Sequence, residues 1–128
     1  GYVLRLRGKH MVPQLERAIR EAYRIGVKIA TGADHYYEED AINRISIEVQ
    51  RFVEFGMSHF DALKTATVNS AELLQIADRT GRIKEGFEAD MILIPGNPLT
   101  NIEALQDVLL VMSNGRHVLK RIPFSVSG

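Results

Sequence analysis

The sequence contains no cysteine, no excess of charge of either sign and no long apolar run. Without cysteine there is no disulfide framework, no thiolate zinc site and no cysteine nucleophile, which fits a reducing compartment, and we expect a cytoplasmic location. Sixteen basic residues balance sixteen acidic ones, so no basic field is present to bind a nucleic-acid backbone. No apolar stretch approaches the roughly 18 to 20 residues that cross a bilayer. These absences indicate a globular protein with neither nucleic acid nor membrane as its partner.

Several catalytic motifs are also absent. No His-x-His, His-Glu-x-x-His or Cys-x-x-Cys pattern occurs, so a complete metal site cannot be derived from this sequence. No glycine-rich phosphate loop and no Gly-x-Ser-x-Gly elbow is found. Residues 1–7 do not resemble a signal peptide, and no initiating methionine is present. We therefore expect the chain to belong to a longer polypeptide.

The first part of the sequence has the pattern of an α/β repeat. A helix is predicted over residues 13–25, with Pro13 in its first turn and Gly26 just past its end. A short buried strand, Val27–Thr31, follows. The predicted inward face of the helix consists of Leu15, Ala18, Ile19, Ala22 and Tyr23.

Further helices are predicted downstream. One covers residues 41–55 and is closed by Gly56, and another begins at His59 after a Ser58–Asp61 start signal. Asn69 with Glu72 predicts the start of a short helix that reaches about residue 76. The residues expected to face inward are Ile42, Ile45, Val49, Phe52 and Val53 in the first of these helices, and Phe60, Leu63, Ala66 and Thr67 in the second.

The pattern changes to short β-like runs near residue 77. The main runs are 91–94 and 108–112, and Asn114-Gly115 before residues 117–119 is a strong hairpin signal. We therefore predict two units, an α/β portion over residues 1–76 and a small β unit over residues 77–128.

Asp34 is the candidate functional residue. It lies just beyond the carboxyl end of the predicted strand, where parallel α/β architectures place their functional groups. A carboxylate there can bind a divalent cation or take a proton from a metal-bound water. Spacing alone favours a second interpretation, in which Asp34 only caps the turn after the strand, because aspartates are common in turns. The adjacent His35 would point the opposite way in an extended segment, so it is more simply a loop histidine.

The order of the motifs resembles that of the amidohydrolase superfamily. The segment Gly26–Asp34 is similar to the eighth barrel strand, with Ala33 in place of the threonine of the usual Gly-Thr-Asp ending. Residues 56–74 resemble the closing helices, and residues 81–93 resemble the Gly-x-Ile-x-x-Gly-x-x-Ala-Asp segment. The resemblance extends over about residues 13–119 and is closest to the branch containing imidazolonepropionases and prolidase-like Xaa-Pro dipeptidases.

This resemblance implies a fold and a chemistry. The family has a (β/α)8 TIM barrel and a β-sandwich built from both chain ends, so the chain would supply the last barrel strand with its closing helices and part of the sandwich. One or two divalent cations, commonly zinc, activate water there for attack on an amide or related C–N bond. Of the family's site residues only the eighth-strand aspartate has a counterpart, Asp34, which is implied to bind the metal or stand beside it and to shuttle a proton. The histidines and the bridging lysine or glutamate of the earlier strands have no counterpart.

Three hypotheses for function follow. In the first, the chain is part of a metal-dependent hydrolase acting on a small-molecule amide or dipeptide, and is inactive alone. In the second, it is a non-catalytic remnant that binds or self-associates, because apolar faces such as Ile42, Ile45 and Val49 would be left uncovered. In the third, a separate chain supplies the missing half of the barrel.

Overall fold

The computed structural model describes residues 2–32 and 44–121. Within these residues, no helix is both long and apolar enough to cross a membrane. The described elements are α1 (Tyr2–Arg24), α2 (Ile45–Glu54), α3 (His59–Thr65), α4 (Val68–Leu73), β1 (Met91–Leu93), a 3₁₀ helix η1 (Ile102–Gln106), β2 (Leu110–Ser113) and β3 (Arg116–Lys120).

Helix α1 is longer than the sequence pattern predicts. It begins at Tyr2, so the predicted start at Pro13 is wrong and this proline lies inside the helix. A proline removes only one amide donor, and the residues before it can continue the helix upstream. The end is as predicted: Gly26 adopts a φ of +81° and donates its N–H to the carbonyl of Tyr23 at 3.0 Å. The last turns of α1 contact the core through Ile19 and Tyr23, whereas Leu15 is exposed.

The predicted strand at residues 27–31 is not a hydrogen-bonded strand. Residues 27–32 belong to neither a helix nor a strand, and the three-stranded sheet consists of β1, β2 and β3. A β-ladder needs a neighbouring strand, and none flanks this segment in the described part of the chain. Helices α3 and α4 bond to it instead, through the Thr65 carbonyl and the Asn69 side chain.

The core lies between α2, α3 and η1. Val49 and Phe52 of α2 are buried, as predicted, and the other buried members of the cluster are Met57, Ala62, Ile102 and Leu105. The expectation that Val49 would be uncovered is wrong, because η1 packs against α2. Ile45 is exposed rather than inward, since the core contacts α2 further along the helix. Ile42 lies outside the described residues.

Helix α3 begins where the sequence predicts, but the residues that it buries differ from the predicted ones. The hydroxyl of Ser58 accepts a hydrogen bond from the Asp61 amide at 3.1 Å. Phe60 and Thr67 were expected to be buried, and both are exposed. The helix has only seven residues and its buried positions are Ala62 and Thr65, so Phe60 lies on the outer side.

Helix α4 begins two residues earlier than the sequence signal indicates. Its cap residue is Thr67, which makes no side-chain cap bond. The proposed starting pair, Asn69 and Glu72, lies inside the helix and bonds elsewhere: Asn69 donates to the Ile29 carbonyl and Glu72 accepts from Lys28. The start signal is therefore wrong, because longer-range partners occupy both side chains.

The three strands form an antiparallel sheet in the order β1-β2-β3. The hairpin prediction is confirmed: Asn114 and Gly115 connect β2 and β3 with φ values of +48° and +73°, as a type I′ turn requires. Asp90, directly before β1, accepts hydrogen bonds from the Asn114 amide at 2.8 Å and the Ser113 hydroxyl at 3.3 Å. Asp90, the aspartate of the Ala-Asp motif, thus links the turn between β2 and β3 to the start of β1. The division of the chain at residues 76 and 77 stays a prediction.

Candidate functional site

The predicted site residue, Asp34, and its neighbour His35 lie outside the described residues. The structure describes the backbone that leads to them, which ends at Gly32, two positions before Asp34. Residues 27–32, which we call the approach segment, are held by contacts with the helices α2, α3 and α4.

Helices α3 and α4 hold the approach segment at Thr31. Its amide donates to the Thr65 carbonyl at 3.0 Å. The same carbonyl accepts the Ser70 hydroxyl at 2.6 Å, and the hydroxyls of Thr31 and Ser70 are 3.4 Å apart. Thr65 is buried, so this anchor lies in a region shielded from water. Sequence analysis assigned Thr65 and Ser70 no such role.

Helix α2 holds the segment one residue further on. The Gly32 amide donates to the carboxylate of Glu48, at 3.1 Å to Oε2 and 3.3 Å to Oε1. Glu48 lies in the first turn of α2, where a carboxylate also interacts favourably with the helix dipole. Nothing in the sequence pattern distinguishes Glu48 from an ordinary surface glutamate, and sequence analysis missed it.

At the other end of the approach segment, a cavity of roughly 220 Å³ lies among α1, α3 and residues 26–29. Asp61 lines this cavity and accepts hydrogen bonds from Tyr23 Oη at 2.7 Å, Ser58 Oγ at 2.8 Å and Lys64 Nζ at 3.3 Å. The bond from Tyr23, followed by those from Ser58 and Lys64, holds the pKa of the Asp61 carboxyl below its ordinary value. The Asp61 carboxylate thus links α1, through Tyr23, to α3 and its cap residue Ser58.

The described residues do not by themselves fit a divalent metal. Among them there is no group of three or more histidine, aspartate or glutamate side chains that could hold an ion. His10 lies on α1, His59 on α3 and His117 on β3. A catalytic zinc site uses three protein ligands and keeps a fourth position for water or substrate. A metal bound near Asp34 would need ligands from beyond the described residues.

Comparison with known proteins identifies the family. The amidohydrolase family model matches residues 10–118, so the chain belongs to the amidohydrolase family. Ochratoxinase from Aspergillus niger is 34% identical over 92 residues, which cover 71% of this chain and 18% of that protein. The 5-methylthioadenosine/S-adenosylhomocysteine deaminase of Caldicellulosiruptor saccharolyticus is 32% identical over 107 residues, covering 76% of this chain and 25% of that protein. The imidazolonepropionase of Kosmotoga olearia is 33% identical over 58 residues, or 45% of this chain and 14% of that protein.

Solved structures agree with this membership. A Xaa-Pro dipeptidase with bound methionine superposes with a TM-score of 0.79 at 35% identity, covering 91% of this chain and 28% of that one. The Aspergillus niger ochratoxinase structure gives a TM-score of 0.74 at 30% identity, covering 89% of this chain and 26% of that one. The resemblance deduced from the motifs is confirmed. The chain spans between 14% and 28% of the length of these relatives.

Proposed function

We propose that the chain is the C-terminal portion of a metal-dependent amidohydrolase that hydrolyses a C–N bond in a small-molecule amide or dipeptide. Residues 26–34 would take the place of the last strand of its TIM barrel, paired in the complete protein with strands that the described residues do not include. Helices α2 to α4 would be the closing helices, and β1 to β3 part of a β-sandwich. The observation that carries this proposal is the similarity to the Xaa-Pro dipeptidase, which extends over 91% of this chain but only 28% of that enzyme. The likeness to a prolidase complexed with N-methylphosphonate-L-proline, at 28% identity and a TM-score of 0.72, supports the dipeptide as one substrate class.

Asp34 is the residue proposed to take part in the chemistry. Its carboxylate would bind the metal or lie beside it, take up a proton from the attacking water and deliver it to the leaving nitrogen. When bound, a divalent cation such as zinc would supply the acidity that activates this water. The other ligands would come from polypeptide beyond the described residues.

The first test uses the 128-residue chain alone. We expect no turnover of a Xaa-Pro dipeptide even with added zinc, because a single carboxylate is fewer than the three protein ligands of a catalytic site. Metal-dependent turnover that Asp34→Asn abolishes would show that the chain is sufficient by itself. The complete reading frame should also encode a His-x-His pair upstream, and its absence would contradict the proposal.

The second test concerns Asp34 in the complete protein. Asp34→Asn should lower kcat by a factor of about 10² to 10⁴, the range typical of losing a general acid–base group. Asp78→Asn, which changes an exposed carboxylate in the same way, is the matched control. Wild-type activity of the Asp34→Asn protein, with the fold checked by circular dichroism, would show that the catalytic carboxylate lies elsewhere.

A non-catalytic, self-associating module is the second candidate. The observation that favours it is the exposure of large apolar side chains in the described part of the chain, among them Leu73, Leu74 and Ile83. Light scattering of the purified chain is the measurement. A compact, stable monomer at all concentrations would contradict self-association.

A further inference from the structure

The turn between β2 and β3 contains a dipeptide, Asn114-Gly115, that can modify itself chemically. An asparagine side chain can be attacked by the backbone nitrogen of the next residue, and a following glycine offers the least hindrance because it has no Cβ. Both residues of this turn are exposed to water. The composition and accessibility of the turn therefore make Asn114 a candidate for spontaneous deamidation.

The reaction needs no partner other than water. The Gly115 nitrogen loses its proton to the solvent and attacks Cγ of Asn114, and the new N–Cγ bond closes a five-membered succinimide ring. The side-chain nitrogen takes up a proton and leaves as ammonia. Water then adds to one of the two ring carbonyls: opening at Cγ gives aspartate, and opening at the backbone carbonyl gives isoaspartate. The net change exchanges ammonia for water, with no oxidation or reduction.

The two residues before β1 hold both backbone amides of this turn. The Gly115 amide donates to the Ala89 carbonyl at 3.3 Å, and the Asn114 amide donates to Oδ1 of Asp90 at 2.8 Å. The bond from the Asn114 amide is the main reason why the pKa of the Asp90 carboxyl lies below its ordinary value, so the carboxylate is ionised at neutral and alkaline pH. The nitrogen that would attack is therefore engaged as a hydrogen-bond donor under the conditions that favour its deprotonation.

Ring closure also requires a backbone rotation that the turn does not have. The Gly115 nitrogen has to lie eclipsed with Cβ of Asn114 about the Cα–C bond. In a type I′ turn the first central residue instead has a ψ of about +30°, which rotates the following nitrogen away from Cβ. The φ values of +48° and +73° at Asn114 and Gly115 fit this turn, and the pairing of Ser113 with Arg116 closes it. Deamidation therefore requires the hairpin to open locally.

We propose that Asn114 is a site of spontaneous deamidation and that Ala89 and Asp90 suppress the reaction for as long as they hold the turn. Isoaspartate would route the backbone through Cβ and so insert an extra carbon atom into a two-residue turn, which disturbs the register of β2 and β3. This inference is independent of the proposed catalytic function. The competing explanation is that the rate of deamidation depends only on the global stability of the fold.

Peptide mapping by mass spectrometry measures the conversion of Asn114 in the 128-residue chain. The chain is incubated in a mildly alkaline buffer, either folded or unfolded in urea. We expect the folded chain to convert at least about tenfold more slowly, because the reaction requires local opening. Asn97 is the internal control, since the following Pro98 has no N–H to lose and cannot attack in this way. Equal rates at Asn114 in the folded and unfolded chains would overturn the proposal.

Three variants separate the local effect of Asp90 from global stability. Asp90→Ala should accelerate the conversion of Asn114 in the folded chain by about threefold to tenfold, the range for loss of one exposed hydrogen bond. Glu85→Ala removes another exposed carboxylate from the stretch before β1 and should match the wild type. Val49→Ala weakens the core without altering the turn and should also convert at close to the wild-type rate.

Two outcomes would contradict the role of Asp90. One is a wild-type rate of conversion in Asp90→Ala, and the other is an equal acceleration in Val49→Ala. Circular dichroism checks that each variant is folded. If Asp90→Ala does not fold, Asp90→Asn replaces it: this variant retains a weaker, neutral acceptor and should show a smaller increase, and no increase at all would likewise refute the role of Asp90.

Discussion

Gly81 offers the sharpest test of the packing between the helical part and the loop that follows it. Its φ is +87°, and a Cβ at this position would lie 2.8 Å from the Cβ of Ala71 and 3.2 Å from the carbonyl oxygen of Thr67. Gly86 has a similar φ of +81°, but nothing lies within 4 Å of its hypothetical Cβ. The pair therefore separates backbone strain from steric overlap.

Three effects determine how much an alanine at either position changes the free energy of unfolding. A non-glycine residue in the left-handed region costs about 1–2 kcal/mol, and overlap in a packed region adds about 1–3 kcal/mol. The reduced freedom of the unfolded chain returns about 0.4–1 kcal/mol. We expect Gly81→Ala to lower the free energy of unfolding by about 2–4 kcal/mol, and Gly86→Ala to lower it by only about 1 kcal/mol.

Urea unfolding followed by far-ultraviolet circular dichroism measures both values. A double-mutant cycle adds a direct check of the overlap, because Ala71→Gly removes the atom that the new Cβ would meet. The coupling between Gly81→Ala and Ala71→Gly should be favourable and of the order of 1 kcal/mol. Equal destabilisation by Gly81→Ala and Gly86→Ala, with no coupling to position 71, would refute the steric argument.

Three further predictions concern the links between elements. The pKa of Asp61 is lowered in the folded protein, chiefly by the hydrogen bond from Tyr23, from an ordinary value of 3.8. The ionised carboxylate therefore stabilises the fold fully at neutral pH, and this stabilisation is lost as the pH falls below that value. Tyr23→Phe should lower the free energy of unfolding by about 1 kcal/mol at pH 7 and make its decrease in acid shallower. A decline as steep as in the wild type would contradict this. Asp90→Ala should accelerate hydrogen exchange of the Asn114 amide in the turn between β2 and β3, because it removes the acceptor of that amide. An unchanged exchange rate would show that the turn is stable without Asp90. Val49→Ala should lower the free energy of unfolding by about 2 kcal/mol because the side chain is only 1% exposed. Ile45→Ala, on the exposed side of the same helix, should change it little. Equal losses of stability in the two variants would contradict the burial of Val49 in the core.

The features that the sequence predicted correctly depend on local chemistry. Asn114-Gly115 is a turn because both residues adopt positive φ readily. Ser58 caps α3 because its hydroxyl reaches an amide three residues later. Gly26 ends α1 for a similarly local reason. In each case the partners are close in sequence, so a pattern of a few residues is sufficient.

The features that it missed depend on distant partners. Asn69 has the sequence pattern of a helix start, but its side-chain amide donates a hydrogen bond to the Ile29 carbonyl, forty residues earlier in the chain. Phe60 has the spacing of a buried residue, yet the small residues Ala62 and Thr65 face the core. Glu48 and Gly32 are brought together only by the fold. The role of Asp34 stays a prediction, because metal ligands are recognised by their convergence in space, and no convergent group occurs in the described residues.

The way in which the approach segment is held has a consequence for protein engineering. Its backbone groups are bound by Glu48, Thr65 and Asn69, all of which follow it by sixteen residues or more. A graft that moved only residues 27–32 into a foreign scaffold would leave the Ile29 carbonyl without its donor, Asn69, and the Gly32 amide without its acceptor, Glu48. Such a transplant has to carry α2, α3 and α4 along with the short peptide, since these helices determine where that peptide points.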